Sequence, residues 1–96
     1  MDYIVEQFKA LAAIASPTGF TRAAAEYAMH EFRRRVFEAT LTNKGCVLVD
    51  FGGEGDALVY SAHLDTLGCM VAEIKSTGAL RLTRIGGMNA NNAEAE

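Results

Sequence analysis

Apolar residues recur at Ile4, Phe8, Leu11 and Ala15, at spacings of four, three and four, which places them on one face of a helix running from Tyr3 to Ala15. Asp2 stands where an N-cap is expected. Ser16-Pro17-Thr18-Gly19 ends that helix, because proline disfavours helical geometry in the residue before it and glycine permits a sharp turn. A second helix is predicted from Ala23 to Arg35, capped by Thr21, with Ala24, Tyr27, Ala28 and Phe32 available to a core and no breaker inside. After Arg35 the pattern changes to short strand-like runs: Val36 to Thr42, Cys46 to Phe51, Leu58 to Ala62, Cys69 to Lys75 and Leu80 to Ile85.

The working count is therefore five strands. Asn43-Lys44-Gly45, the glycine-rich Gly52-Gly53-Glu54-Gly55-Asp56 and Ser76-Thr77-Gly78 read as turns between them, so neighbours should pair as antiparallel hairpins or a meander. Leu58 to Ala62 is nearly continuously apolar, as a central strand covered on both faces would be. The fold class is α/β, with two N-terminal helices followed by a small mixed or antiparallel sheet. Such a sheet ordinarily needs further crossover helices to cover its second face. From Gly86 to Glu96 the sequence is polar and has no apolar period to anchor it, so the fold is expected to stop unfinished there and to be loosely held.

Composition narrows the function classes. The 96 residues carry a net charge of −3 and are 50% apolar, which describes one ordered unit of marginal stability. No apolar stretch approaches the roughly 20 residues needed to span a bilayer, so no membrane partner is expected. The acidic start Met1-Asp2-Tyr3-Ile4-Val5-Glu6 does not resemble a signal peptide, and a cytoplasmic location is expected. Mild acidity also argues against nucleic acid, which demands concentrated lysine and arginine. Arg33-Arg34-Arg35 is the one basic cluster, and at a helix C-terminus it complements the macrodipole. Cys46 and Cys69 lack Cys-x-x-Cys spacing and read as buried free thiols.

Candidate chemistry lies in Ser61-Ala62-His63-Leu64-Asp65-Thr66-Leu67-Gly68. An apolar strand delivers His63 and Asp65 two residues apart, so both side chains should point the same way. That suits a metal site in which one imidazole nitrogen binds a divalent ion and a carboxylate holds the other N–H. Taken alone, His-x-Asp is a weak signal, and a histidine near a strand end is more commonly a hydrogen-bonded structural residue than a ligand. His30 lies in a charged stretch of the second helix and reads as a surface residue. Ser16 and Ser61 lack the glycine-flanked elbow of a serine nucleophile, and neither cysteine has an electropositive neighbourhood.

The ordered series Ser16-Pro17-Thr18-Gly19-Phe20, Asn43-Lys44-Gly45, Ala62-His63-Leu64-Asp65-Thr66-Leu67-Gly68-Cys69-Met70-Val71, Gly78-Ala79-Leu80-Arg81 and Ile85-Gly86-Gly87 resembles the deblocking and glutamyl aminopeptidases, whose members include the tetrahedral aminopeptidases. The chain departs from that pattern at Thr21, where an acid often stands, and at Cys46, where asparagine often stands. The resemblance implies that His63 is a metal ligand and that Asp65 belongs to the catalytic site as the residue orienting it. It also implies an incomplete part of a zinc-peptidase-like α/β sandwich. Residues 1–87 would be the N-terminal part of the catalytic domain, and 88–96 would begin the connection to an oligomerisation domain. The implied parent binds two divalent ions, zinc or cobalt, acts on peptide substrates and forms a homo-oligomer. The remaining ligands and the general base of that family lie in later segments, so the chain alone is expected to be inactive and to hold no metal stably. A related metallo-carboxypeptidase or deacetylase, or a non-catalytic α/β module, are the alternatives.

Overall fold

The computed structural model describes residues 2–94. Its elements are helix α1 (Asp2–Ala12), helix α2 (Arg22–Arg34), strands β1 (Glu38–Leu41), β2 (Val47–Asp50), β3 (Gly68–Ile74) and β4 (Leu80–Ile85), and a short 3-10 turn at Ala90–Ala93. The mixed helix-then-sheet order is the expected α/β class.

Helix α1 ends three residues earlier than its apolar spacing predicts and includes Asp2 in its first turn. Ile4 and Phe8 on its apolar stripe remain 66% and 71% exposed, so the stripe meets little of the chain. Polar contacts join it to α2 and to the residue that caps α2: the Tyr27 hydroxyl donates to Gln7 Oε1 at 2.9 Å, and Arg35 Nε donates to the Tyr3 hydroxyl at 2.9 Å. The Arg35 guanidinium also lies 3.9 Å from the centre of the Tyr3 ring, a cation–π contact.

Helix α2 buries Ala24 and Ala25, and the small side chains let it pack closely against the first hairpin. Thr21 occupies the N-cap position, but its side chain makes no capping bond. At the other end Val36 N–H donates to Arg33 O at 2.9 Å and Phe37 N–H to Phe32 O at 3.1 Å. That is the Schellman pattern, with Val36 in the left-handed position at φ 69° where glycine is usual. The basic cluster is fully engaged: Arg33 Nε donates to Ala39 O, Arg34 pairs with Glu31, and Arg35 meets Tyr3.

β1 and β2 form an antiparallel hairpin from Glu38↔Asp50 to Leu41↔Val47. Its turn is the expected Asn43-Lys44-Gly45, closed by Gly45 N–H to Thr42 O at 2.9 Å with Gly45 at φ 82°. Phe37 and Phe32 both meet Phe51 edge to face, at 4.9 and 6.1 Å between ring centres, and fasten the hairpin to α2. β3 and β4 form a second antiparallel hairpin around Ser76-Thr77-Gly78, with a bulge between Val71 and Glu73.

Three expectations are corrected. Leu58 to Ala62 is not a strand: Leu58, Val59 and Tyr60 are 78%, 79% and 86% exposed in an unpaired segment, and the glycine-rich stretch before it is therefore not a hairpin turn. A run that is apolar on both faces needs a neighbouring strand and cover from both sides, and the two hairpins close on themselves instead. The thiols are free but not both buried, since Cys46 is exposed beside the hairpin turn and Cys69 is half-buried. The segment after Gly86 does have an anchor, because Met88 is buried and its sulfur lies 3.4 Å from Cys69 Sγ.

The chain is long for its size. Its radius of gyration is 17.4 Å, against about 12–13 Å for a compact domain of this length. Met70, Val71, Ile74, Leu80 and Leu82 on the second hairpin are each about half exposed or more. The two halves of the chain meet at the turn between the helices, and that junction is where the candidate chemistry lies.

Candidate metal-ligand pair at the junction of the two halves

Ser16, the most deeply buried polar residue described, sits at this junction with 2% of its surface exposed. Its hydroxyl donates to Leu64 O at 2.8 Å, and its carbonyl accepts from Thr66 N–H at 2.8 Å. Pro17 and Thr66 form an isolated parallel bridge. Two residues on, β3 starts at Gly68, where a Cβ would lie 2.7 Å from Pro17 Cβ. Only glycine lets the two backbones approach that closely.

Asp65 is thus held between two anchored neighbours. Its Oδ1 lies 3.2 Å from His63 Nδ1, and its carbonyl oxygen lies 3.1 Å from the same nitrogen. Both neighbours are acceptors, so in the neutral ring the arrangement favours the proton on Nδ1 and the lone pair on Nε2. The His63 and Asp65 side chains are 84% and 51% exposed, and the imidazole is open to an incoming group. The two residues meet as expected, but an anchored loop brings them together and not the end of a strand. Thr18 Oγ1 stands 3.5 Å from Asp65 Oδ2, at the outer limit of a hydrogen bond.

Asp65 also borders an open cleft of about 890 Å³ between the start of α2 and the β1–β2 turn, lined among others by Thr18, Arg22, Glu26, Thr42 and Lys44. Arg22 Nε donates to Glu26 Oε1 at 2.7 Å, and this hydrogen bond, with the Glu26 charge, raises the guanidinium further above its usual range. His30 is exposed on α2, as expected. Among the described residues no group of three or more His, Cys, Asp or Glu side chains is arranged to hold a metal ion.

The pairing fits a metal-ligand role by its donor set: a tautomer fixed at Nδ1 and an exposed, unencumbered Nε2. Ser16 and Thr18 were legible only as helix terminators, although Ser-Pro-Thr-Gly is part of the motif series.

The family model for the M42 glutamyl aminopeptidases matches residues 45–96, more than half of the chain and the half that holds His63 and Asp65. The chain belongs to the M42 glutamyl aminopeptidase family. It is 35% identical over 94 residues to the Bacillus subtilis (strain 168) protein named "Putative aminopeptidase YhfE", a match that covers 96% of this chain. It is 37% identical over 73 residues to the Escherichia coli (strain K12) protein named "Putative aminopeptidase SgcX", covering 73% of this chain. The chain spans 27% and 20% of the length of these two relatives.

Proposed function

We propose that this chain supplies one metal-ligating corner of a dinuclear aminopeptidase that removes N-terminal residues from short peptides. The observation that carries this is the His63–Asp65 pair, with Nδ1 occupied by carboxylate and carbonyl and Nε2 free, in a chain of the M42 family. When bound, two bridged divalent ions, zinc or cobalt, would activate water and polarise the scissile carbonyl. His63 would hold one of them through Nε2. Asp65 keeps the Nδ1 proton in place, which fixes the ring orientation and raises the basicity of Nε2. A dinuclear site needs more donors than His63 alone, so its other ligands and its general base come from polypeptide beyond the described residues.

The whole protein is further proposed to act in the cytoplasm as a homo-oligomer. No helix among the described residues is long and apolar enough to cross a membrane.

The test uses the full-length protein that contains this chain. Chelation should abolish hydrolysis of aminoacyl-p-nitroanilides, and zinc or cobalt should restore it. His63→Ala should lose metal by elemental analysis. Activity indifferent to chelator, or full metal content in His63→Ala, would overturn the reading.

A further inference from the structure

The Ser16-Pro17-Thr18 turn does more than connect the two helices. Three contacts run from it to the four-residue stretch His63-Leu64-Asp65-Thr66 across nearly fifty positions of sequence: Ser16 Oγ to Leu64 O, Thr66 N–H to Ser16 O, and Thr18 Oγ1 to Asp65 Oδ2. The first two are 2.8 Å long and bracket Asp65 on both sides. The third addresses the carboxylate oxygen that His63 does not use, since His63 Nδ1 faces Oδ1. Pro17 packs on Gly68 at the next step of the chain, and the site of a Cβ on Gly86 lies 3.8 Å from Thr18 Oγ1. The turn therefore borders the open end of the second hairpin as well as the loop before it.

We infer that Ser16 and Thr18 are positioning residues for the His63–Asp65 pair. Ser16 fixes the backbone on either side of Asp65, so that the Asp65 carbonyl oxygen and carboxylate both face Nδ1. Thr18 turns the carboxylate by holding its outer oxygen. The combined effect is to select the Nδ1–H tautomer of His63 and leave Nε2 as the donor. Neither residue touches a metal or a substrate in this arrangement. The use of the selected tautomer in metal binding rests on the proposed function; the selection itself does not.

The experiment is nitrogen-15 NMR of the imidazole in the 96-residue chain, at a pH where the ring is neutral, reading the ratio of the two tautomers. Thr18→Val keeps the shape of an exposed side chain and removes the hydroxyl; Ser16→Ala removes the buried one. Each should lower the Nδ1–H to Nε2–H ratio by roughly two- to tenfold, the range expected for one net hydrogen bond. Thr18→Ser should restore the wild-type ratio. A merely structural turn would lose stability in these variants without changing the tautomer. If Ser16→Ala fails to fold, Thr18→Val decides, since an exposed substitution leaves folding nearly unchanged. An unchanged ratio in Thr18→Val overturns the inference. In the full-length protein, Thr18→Val should also retain zinc about tenfold more weakly than Thr18→Ser. A shifted tautomer together with full metal content in His63→Ala would sink the proposed function and leave the positioning role standing.

Discussion

Gly68→Ala tests whether the junction between the two halves is as tight as the geometry requires. The new Cβ would lie 2.7 Å from Pro17 Cβ, whereas non-bonded carbons settle at about 3.5 Å or more. Neither atom can swing away, because both are fixed to the backbone. Pro17 and Gly68 must therefore separate by about 0.8 Å. If that displacement falls along the Thr66 N–H to Ser16 O bond, a contact of 2.8 Å stretches to about 3.6 Å and ceases to be a hydrogen bond. Overpacking of this kind costs about 1–3 kcal/mol. Native-state hydrogen exchange read at the Thr66 amide is the direct assay. The amide should exchange about 5- to 160-fold faster in the variant, the factor that about 1–3 kcal/mol of local stability represents. Thr66 protection within twofold of wild type would refute the reasoning, because the clash would then have been absorbed without disturbing the bridge.

Val36→Gly should stabilise the chain by about 0.5–1 kcal/mol, seen as a higher urea midpoint, since Val36 is 92% exposed and sits at φ 69° in a left-handed position that L-residues enter at a cost of about 1–2 kcal/mol. Part of that gain is offset by the extra freedom of glycine in the unfolded chain. Met88→Ala should speed amide exchange across residues 86–94, and unchanged exchange there would show that the contact with Cys69 anchors nothing. In the full-length protein His63→Ala should empty or severely weaken one metal position, while Asp65→Asn should keep the metal stoichiometry but lower affinity or activity about 10- to 100-fold. Elemental analysis beside the rate separates the two.

Two turn signals and one helix signal in the sequence were reliable because the structure they specify is local. The Asn43-Lys44-Gly45 and Ser76-Thr77-Gly78 turns form as read, because a glycine at positive φ and two flanking β-prone runs need nothing further away. α2 also forms where its helix formers lie. Leu58 to Ala62 failed for the opposite reason. Its composition describes the environment it would need on both faces, and the described residues do not provide that environment. Cys46 illustrates a smaller version of the same limit: an apolar neighbourhood in sequence became an exposed position at the base of a tight turn. Met88 shows the converse, a lone apolar residue in a polar stretch that finds a partner nineteen positions back. His63 and Asp65 meet, but not by the strand geometry from which their spacing was read, and what holds them was not legible. Ser16 is distant in sequence, and its hydroxyl acquires meaning only when Leu64 is brought beside it.

That distinction decides how the site keeps its geometry. His63 and Asp65 are mostly exposed, and an exposed pair of this kind contributes about 1 kcal/mol or less, too little to hold a mobile loop in one arrangement. Two backbone-directed hydrogen bonds at a residue with 2% exposure are different in kind, because breaking either leaves a polar group in a place water cannot easily reach. Order at the pair is therefore inherited from Ser16 and not generated by the pair. A site built this way can leave its imidazole open without losing its direction, which is what the proposed metal-ligand role requires. The same logic explains why the anchoring turn carries a proline: Pro17 gives up an N–H at a position where the bridge is made by Ser16 O and Thr66 N–H, so nothing is lost, and its fixed backbone presents the ring that Gly68 alone can accommodate.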